Sequence, residues 1–492
     1  METMKTPGVY VVEKNAFPNS VVEVETAIPV FIGYTEKFAT PDGVSLKMKP
    51  RKINSLNEYH TYFGGAPKPK FTIHTTAQSA GNPLHIRISD KEYWITSDNK
   101  WTFYYNLMLF FANGGGPCYI LSVGDYKGNG VELDKLWNDD VKKELAKQQE
   151  PTMLVIPEAV NLPADSCYNI QTSMVEHCAK MKNRIALLDV FMTGSETTME
   201  TCIKNFREKV KESTYGAAYF PWLATSVLSD NDVAGEMISF ENGAAAFIAY
   251  AKPAEETALK AFLVCINAVE DSQKAQMIHQ AFLQSVEAYK LIVSAIKEKL
   301  NLLPPSAAMA GACTMVDNTR GVWKAPANIS LNAVVKPSIS LTDKEQEGLN
   351  VPDNGHSINA IRSFINSGVK VWGARTLMGK DLDFRYINVR RTMIFLEESI
   401  KNASRPYVFE PNDTNTWLNM KCMIENFLRG VWKRGGLVGA STDEAFSVHI
   451  GLGETMTPED ILEGIMRISV LVAISHPAEF IEITFQQQMQ KS

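Results

Sequence analysis

Two short apolar segments, "TMLVIPEA" (152–159) and "RIALLDVF" (184–191), decide the fold class of this chain. Each has the length of a single strand, and a stretch of helical character lies between them. Apolar runs that alternate with helices are typical of strands in a parallel sheet, which helices cover on both faces. The sequence therefore predicts an α/β protein.

Segments on either side of this pair extend the same pattern. "IPVFIG" (28–33) and "CYILSV" (118–123) indicate further buried strands, the second after an aromatic-rich amphipathic helix. Towards the other end, "GVKVWGARTL" (368–377) indicates a strand and "INVRRTMIFLEESIKNAS" (387–404) a helix with one apolar face. A second structural unit is expected to begin after about residue 345.

Composition limits the classes of function. The chain has 492 residues, of which 45% are hydrophobic and 21% charged, and this is enough for two or three cores. Its formal net charge is only −6, and no basic tract with interleaved aromatic residues occurs, so nucleic acid is not an expected partner. We expect neither a signal peptide nor a membrane span, and we expect the seven scattered cysteines to be reduced thiols of a cytoplasmic product.

Both ends of the chain have the pattern of a strand. Val9–Glu13 is a short, isolated extended segment, and near the other end the apolar residues Ile481, Ile483 and Phe485 alternate with polar ones. A strand needs a neighbour for its backbone donors and acceptors, and neither end offers one nearby in sequence. The two segments are therefore predicted to pair with a sheet elsewhere.

Motifs that carry chemistry are weak. The segments "NGGGP" (113–117) and "YFGGAP" (62–67) lack the spacing of phosphate-binding loops, and His177-Cys178 has no second pair at metal-ligand spacing. Two cationic pairs, Arg390-Arg391 and Lys433-Arg434, either stabilise helix ends or dock onto an acidic partner. We predict no catalytic, cofactor-binding or metal-binding residues, which favours a structural role. An α/β enzyme with a dispersed active site stays an alternative.

Nine segments together resemble the contractile tail sheath family of phage tails, R-type tailocins and bacterial contractile injection systems. They occur between residues 6 and 488 in the order found in that family: "TPGVYVVE", "YFGG", "FFANGGGPCYI", "YGAAYFPWL", "TRGVWKAPAN", "INAIRSFINSGVKVWGARTL", "FRYINVRRTMIFLEESI", "FLRGVWKRGGLVGA" and "HPAEFIEITFQQ". The resemblance is weakest in 35–100 and 253–300.

The resemblance implies a two-domain α/β sheath protein with strand-forming terminal arms. Its inner domain comes from the C-terminal third plus the N-terminal arm, and its outer domain comes from the middle of the chain. The expected regions are an N-terminal arm and linker (1–27), an outer domain (28–345) with a loop-rich insertion at about 35–100, an inner, tube-facing domain (346–478) and a C-terminal arm (479–492).

The resemblance also implies a mechanism without an enzyme or a cofactor. Subunits stack as rings, expected to be hexameric, around an inner tube in a metastable extended state, and contraction drives the tube through a target cell envelope. The implied partners are copies of the same chain, the inner tube protein, and baseplate and terminal cap proteins, with no nucleic acid and no direct membrane insertion. Assembly is expected in a bacterial cytoplasm, in a phage tail or a phage tail-like particle that can be released; phage or bacterial origin stays open.

Two groups of site residues follow from the resemblance. Lys433 and Arg434 are candidates for contact with the inner tube. The arms that add strands to neighbouring subunits comprise Val9, Tyr10, Val11, Val12, Glu13, Phe480, Ile481, Glu482, Ile483, Thr484 and Phe485.

Overall fold

A computed structural model describes residues 20–78, 83–192, 198–251, 272–352 and 356–483. Of the predicted arm residues, Val9–Glu13, Thr484 and Phe485 lie outside the described residues. The chain forms two compact units. The smaller unit combines Phe395–Ser475 with the residues up to Val24, and the larger unit combines Glu25–Ile394 with the residues from His476 onwards.

The strands are numbered in chain order. The larger unit contains β1 (Pro29–Thr35), β2 (Arg51–Ile53), β3 (Phe71–His74), β4 (Leu84–Ile88), β5 (Lys91–Ser97), β6 (Cys118–Asp125), β7 (Met153–Val155), β8 (Ile185–Asp189), β9 (Gly216–Phe220), β10 (Leu223–Thr225), β11 (Ile238–Phe240), β12 (Leu302–Leu303), β13 (Ile329–Ser330), β14 (Val334–Pro337), β15 (Asn359–Phe364) and β16 (Gly368–Val371). The smaller unit contains β17 (Phe446–His449) and β18 (Ser469–Val472).

The helices follow the same numbering. The larger unit contains α1 (Leu56–Phe63), α2 (Phe103–Ala112), α3 (Leu133–Leu136), α4 (Asp139–Lys147), α5 (Ala164–Met181), α6 (Met199–Lys209), α7 (Gly243–Ala251), α8 (Ser272–Ser285), α9 (Glu287–Leu300), α10 (Ser306–Arg320) and α11 (Asp343–Asn350). Helix α12 (Ile387–Ser404) begins in the larger unit and ends in the smaller one, which also contains α13 (Thr414–Lys433), α14 (Thr442–Ala445) and α15 (Pro458–Leu462).

A nine-stranded sheet organises the larger unit, in the order β13-β16-β15-β9-β8-β7-β1-β6-β2. The six strands from β15 to β6 in this order pair in parallel, and antiparallel strands close both edges. Every residue of β1, β8 and β9 is buried, because hydrophobic clusters cover both faces of the sheet. The predicted α/β class is confirmed, with β7 and β8 inside the two apolar segments that predicted it.

The region at about 35–100, predicted to be a loop-rich insertion, has long irregular segments but also contains regular structure. Strands β3, β5 and β4 form a second sheet, in which β11 pairs in parallel with β3. Buried residues alternate along these strands, with Phe71 and Ile73 in β3 and Tyr93 and Ile95 in β5. Only two or three apolar residues per strand face the core, and the polar residues between them gave the segment the composition of a loop.

The boundary between the units lies later than the predicted position near residue 345. Strand β15 pairs in parallel with β9, so the segment after 345 completes the large sheet. Asn359 fixes this junction, because its amide nitrogen donates to the carbonyl oxygens of Ala218 and Arg375, at 3.0 and 2.8 Å. The C-terminal segment of the smaller unit therefore begins at Phe395, within α12.

The arginines of the first cationic pair are both buried in the larger unit. Arg391 makes a two-pronged ion pair with Asp317 of α10, with nitrogen–oxygen distances of 2.6 and 3.0 Å, and also donates to the carbonyl oxygen of Thr26. The guanidinium of Arg390 stacks on the ring of Phe384, 4.0 Å from its centroid, and on Tyr215. These arginines therefore stabilise the fold of their own chain and are not exposed for docking.

In the smaller unit, helix α13 packs one face against the core. Asp413 caps its first turn by accepting a hydrogen bond from the backbone N–H of Thr416. Its buried face includes Met420, Ile424, Phe427, Leu428 and Val431. With 20 residues the helix is about 30 Å long, so its two ends present well-separated surfaces.

Candidate functional site

The root of the N-terminal arm lies on the smaller unit. The backbone N–H of Val24 donates to the Ser399 hydroxyl, at 3.2 Å. Glu23 accepts hydrogen bonds from Arg434, the C-cap residue directly after α13, with a distance of 3.0 Å from Nη1 to Oε2. Arg434, predicted to contact an inner tube, thus has a partner in its own chain, whereas the neighbouring Lys433 is exposed.

The root of the C-terminal arm lies on the larger unit. Glu479 accepts hydrogen bonds from the Arg375 guanidinium at 2.6 and 3.1 Å, from the Tyr386 hydroxyl at 3.0 Å and from the Asn350 amide at 2.6 Å. Burial opposes ionisation of this carboxyl, but the hydrogen bonds from Arg375 and Asn350 hold its pKa below the ordinary value. The ionised carboxylate therefore fixes the point from which the arm leaves.

The described part of the arm beyond this root is exposed. Phe480, Ile481 and Ile483 have 74, 79 and 70% of their surface accessible, and Glu482 between them is also exposed. Within the described residues these four pair with no strand. Three large apolar side chains in water beside a fixed anchor are typical of a segment that binds a partner. The strand prediction for the arm stays a prediction.

A small open sheet is present in the smaller unit. Strands β17 and β18 pair antiparallel, with Phe446 opposite Val472, and among the described residues they pair only with each other. The backbone N–H of Ala473 donates to the carbonyl oxygen of Ala445, so this N–H points towards β17. Successive residues of a strand point their backbone N–H and C=O groups to alternate sides, so those of Val470 and Val472 point away from β17. A two-stranded sheet is marginally stable alone, so this free edge can accept a third strand.

Sequence patterns did not reveal the two roots. Glu479 lies within "HPAEFIEITFQQ", but its partners Arg375 and Tyr386 are 104 and 93 residues away. The pairing of Arg434 with Glu23 spans 411 residues. The only local signal was a single acidic residue directly before an apolar alternation, which is too common to indicate an anchor.

Two buried carboxylates lie where an α/β enzyme would carry its active site, at the carboxyl ends of parallel strands. Glu158 follows β7 and accepts the backbone N–H groups of Tyr34, Thr102 and Phe103, so that it caps the start of α2. A Cβ on Gly33 would lie 2.8 Å from this carboxylate and 2.2 Å from the Phe103 ring, so glycine is required there. Glu158 thus fills the helix terminus that could otherwise hold an anion.

Asp189, the last residue of β8, has a similar role. It accepts the backbone N–H and the hydroxyl of Ser306, at 2.7 and 2.5 Å, and so caps the start of α10. Burial raises the pKa of Asp189 to about 7, and it raises the pKa of Glu158 to about 7 as well. Both acids are fully buried and hold helices in place.

The raised pKa of Asp189 predicts a pH dependence of stability. A carboxyl with a raised pKa in the folded state stabilises the fold at low pH, below about 4, and this contribution is lost as the pH rises through about 7. An Asp189→Asn variant would keep both hydrogen bonds, because the new amide oxygen accepts from the Ser306 N–H and the amide nitrogen donates to the hydroxyl. We expect this substitution to reduce the fall in unfolding free energy between pH 4 and 8, by up to about 1.4 kcal/mol per unit of pKa shift.

Urea unfolding of soluble subunits at several pH values measures this difference. Wild type and Asp189→Asn should have their largest difference in slope between pH 4 and 7. Parallel stability curves for the two proteins would contradict the buried-acid assignment.

The other candidate chemistry is also packed into the fold. His177 and Cys178 lie in α5, where burial lowers the pKa of His177 to about 4 and raises the pKa of Cys178 to about 12, so at neutral pH the imidazole is uncharged and the cysteine is a thiol instead of the nucleophilic thiolate. No group of three or more His, Cys, Asp or Glu side chains within the described ranges could hold a metal ion. None of the helices in that part of the chain is long and apolar enough to span a membrane.

Comparison with family models gives matches over more than half of the chain. A model described as the phage tail sheath protein central domain matches residues 229–377, and one described as the phage tail sheath C-terminal domain matches residues 379–488. The Vibrio phage KVP40 tail sheath protein is 23% identical over 178 residues, which are 36% of this chain. The match spans about a quarter of the length of that relative, 25%.

Solved structures match over nearly the full length. The PVC sheath complex of an extracellular contractile injection system, in its contracted state, is 26% identical with a TM-score of 0.62, and the alignment covers 99% of both chains. The contracted helical sheath of the anti-feeding prophage is 27% identical with a TM-score of 0.60, and the alignment covers 99% of this chain and 100% of that chain.

Proposed function

Because this chain belongs to the phage tail sheath family, we propose that it is the repeating subunit of a contractile sheath that surrounds an inner tube. The observation that carries the proposal is the full-length match to sheath chains of two contractile particles. The subunit has a structural role, and its two buried strand-end acids serve as helix caps instead of catalysts.

Strand addition joins the subunits. The arm that leaves Glu479 exposes alternating apolar side chains, and β18 offers an unpaired edge in the smaller unit. Pairing between them in neighbouring copies supplies backbone hydrogen bonds, and the alternation of Ile481, Ile483 and Phe485 sets the register. The N-terminal arm, Val9–Glu13, adds to the same small sheet from another neighbour. The smaller unit is thus the inner domain, and most of the larger unit forms the outer domain.

Such pairing produces a head-to-tail helical polymer, since each contact joins two different surfaces. Stacked rings, hexameric by family resemblance, surround the tube and end at baseplate and cap proteins. Contraction is a switch between two packings of every subunit, with the contracted one lower in free energy. A difference of a few kcal/mol per subunit, summed over a long sheath, drives the tube through an envelope without a nucleotide.

The assembly takes place in a bacterial cytoplasm and yields a phage tail or a phage tail-like particle. The sheath contracts by the same mechanism in a phage tail and in a bacterium-encoded particle. Neighbouring genes would distinguish the two origins, since a phage genome also encodes a capsid. Negative-stain electron microscopy of the purified protein tests the function. Tubes or cogwheel-shaped rings are expected, whereas compact particles alone would favour an α/β enzyme instead.

Contact with the inner tube is assigned to the second cationic pair, and mainly to Lys433. Lys433 is an exposed residue, while Arg434 also holds Glu23 at the root of the N-terminal arm. A weak electrostatic contact suits a tube that must be released on contraction. We expect Lys433→Glu to leave folding and sheath formation intact and to give at least half of the sheaths without a tube in electron micrographs of particles from the producing cells.

Arg434→Glu is the matched comparison, since it reverses the same charge one residue later but also breaks the pair with Glu23. It should impair sheath formation in addition to tube loading. Normally loaded particles from the Lys433→Glu variant would rule out the tube contact.

A further inference from the structure

Three exposed apolar side chains of the smaller unit lie on two segments, the loop after α12 and the end of helix α15. Val408, Phe409 and Leu462, named the end patch, are 62, 102 and 87% exposed. The Asn412 amide donates to the carbonyl oxygen of Ile465 at 3.1 Å and so joins the loop after α12 to the segment that precedes β18. Ile465 precedes Ser469, the first residue of β18, by only a few residues, so the two segments of the end patch meet close in sequence to that strand.

The backbone at Phe409 is strained. Its φ is +74°, in the left-handed region that favours glycine, and the turn is closed by the Glu410 N–H, which donates to Tyr407 O at 3.1 Å. The Phe409 ring is fully exposed, so no burial within its own unit offsets the cost of this backbone conformation. Strain combined with full exposure indicates a binding role.

Charge identifies the segment that fits the end patch. The exposed charged residues that flank these side chains in sequence are mainly acidic, with Glu410, Glu459 and Glu463 against Arg405, so a suitable partner is apolar and carries no acidic residue. Residues 484–492, "TFQQQMQKS", have this composition, with Phe485, Met489 and Lys491. The N-terminal residues 1–19 contain Glu2 and Glu13 and fit less well.

The length of the C-terminal arm leads to the same place. Strand β18 has four residues and spans about 13 Å, whereas the arm from Phe480 to Ser492 can extend about 43 Å. An arm that pairs antiparallel to β18 through residues 480–483 would pass Ser469 with nine residues left. Those residues would continue towards Ile465 and the end patch.

We propose that the end patch binds residues 484–492 of a second copy of this chain, as a continuation of strand pairing on β18. The inference rests on the proposed sheath function and adds to it a second, side-chain-specific contact. Backbone pairing alone recognises any extended segment, and the end patch would select the arm of this chain by its aromatic residue and its charge.

Photo-crosslinking tests the contact directly in assembled full-length protein. With p-benzoylphenylalanine at position 409, irradiation should give a crosslinked dimer, and mass spectrometry should find the crosslink within residues 484–492 of the other copy. The same probe at Leu452, an exposed leucine in the loop after β17, should give no crosslink to that segment. A crosslink from 409 to the N-terminal arm, to another protein or to nothing would overturn the proposal.

Substitution tests its contribution to assembly. We expect Phe409→Ser to raise the subunit concentration needed for sheath formation about tenfold, the factor expected for one aromatic side chain lost from an interface. Leu452→Ser should leave it unchanged, and both variants should fold because both side chains are exposed. Wild-type assembly at the same concentration by Phe409→Ser contradicts the end-patch contact alone. Absence of sheaths from the wild type contradicts the proposed function itself.

Discussion

Replacing Asp317 with alanine should lower the free energy of unfolding of the larger unit by about 3–5 kcal/mol. The side chains of Asp317 and Arg391 are only 2 and 3% exposed, and their two hydrogen bonds hold α10 against the first turns of α12. Although burial disfavours the charge, the neighbouring carboxylate raises the pKa of Arg391. The variant therefore leaves a buried cation with no counter-charge. Urea unfolding measures the loss.

An exposed ion pair provides the matched control. Glu23→Ala removes the partner of Arg434 at the root of the N-terminal arm, where both side chains are more than 40% exposed. Its cost should be about 0.2–1 kcal/mol, because water and salt screen such pairs. In the double variant Asp317→Leu with Arg391→Met, much of the loss should be recovered, since no unpaired charge remains. Equal effects of Asp317→Ala and Glu23→Ala would contradict the buried-pair assignment.

Removing the arms should abolish long sheaths while leaving soluble, folded subunits. We expect this result for deletion of Val9–Glu13 and for deletion of Ile481–Phe485, because each removes a segment that we propose pairs as a strand between copies. Glu479 and its partners stay in place in the second variant, so the fold of the larger unit should keep its thermal midpoint. Sedimentation and electron microscopy measure the assembled fraction, which should fall by at least tenfold.

Side-chain alternation within the C-terminal arm gives a sharper version of this test. Changing Ile481, Ile483 and Phe485 to serine should prevent long sheaths, because these residues would share one face of the proposed strand. Changing Glu482, Thr484 and Gln486 to serine keeps that face and should preserve assembly. Extended, contractile sheaths from the first triple variant or from either deletion would disprove strand addition by the arms.

The sequence predicted those parts of the fold that depend on neighbouring residues. Strands β7 and β8 were predictable because their apolar runs are continuous, and α12 was predictable because its apolar residues repeat with helical spacing. Strands β3 and β5 were missed because they bury residues such as Phe71 and Tyr93 among polar neighbours. The family resemblance came from long motifs, and these did not show which of their residues are anchors.

Long-range contacts account for the remainder. The later unit boundary depends on β15 reaching β9 across the chain, and Arg391 finds Asp317 at a separation of 74 residues. In the sequence, Arg390 and Arg391 look like a surface pair. The fold shows that Arg390 stacks on an aromatic ring and that a buried carboxylate neutralises Arg391. The same applies to Glu479, whose role comes from Arg375, Tyr386 and Asn350.

The two arm roots belong to different units, and this has a consequence for the path of force through a sheath. A pull on the N-terminal arm acts on the smaller unit through Val24 and Glu23, and a pull on the C-terminal arm acts on the larger unit through Glu479. If the arms join neighbouring copies as proposed, the chain carries tension from one unit to the other at its crossings, one of which is the continuous helix α12. A force that passes from one neighbour to the next would then cross both units of every subunit. The stiffness of α12 would contribute to how strain is transmitted along the sheath.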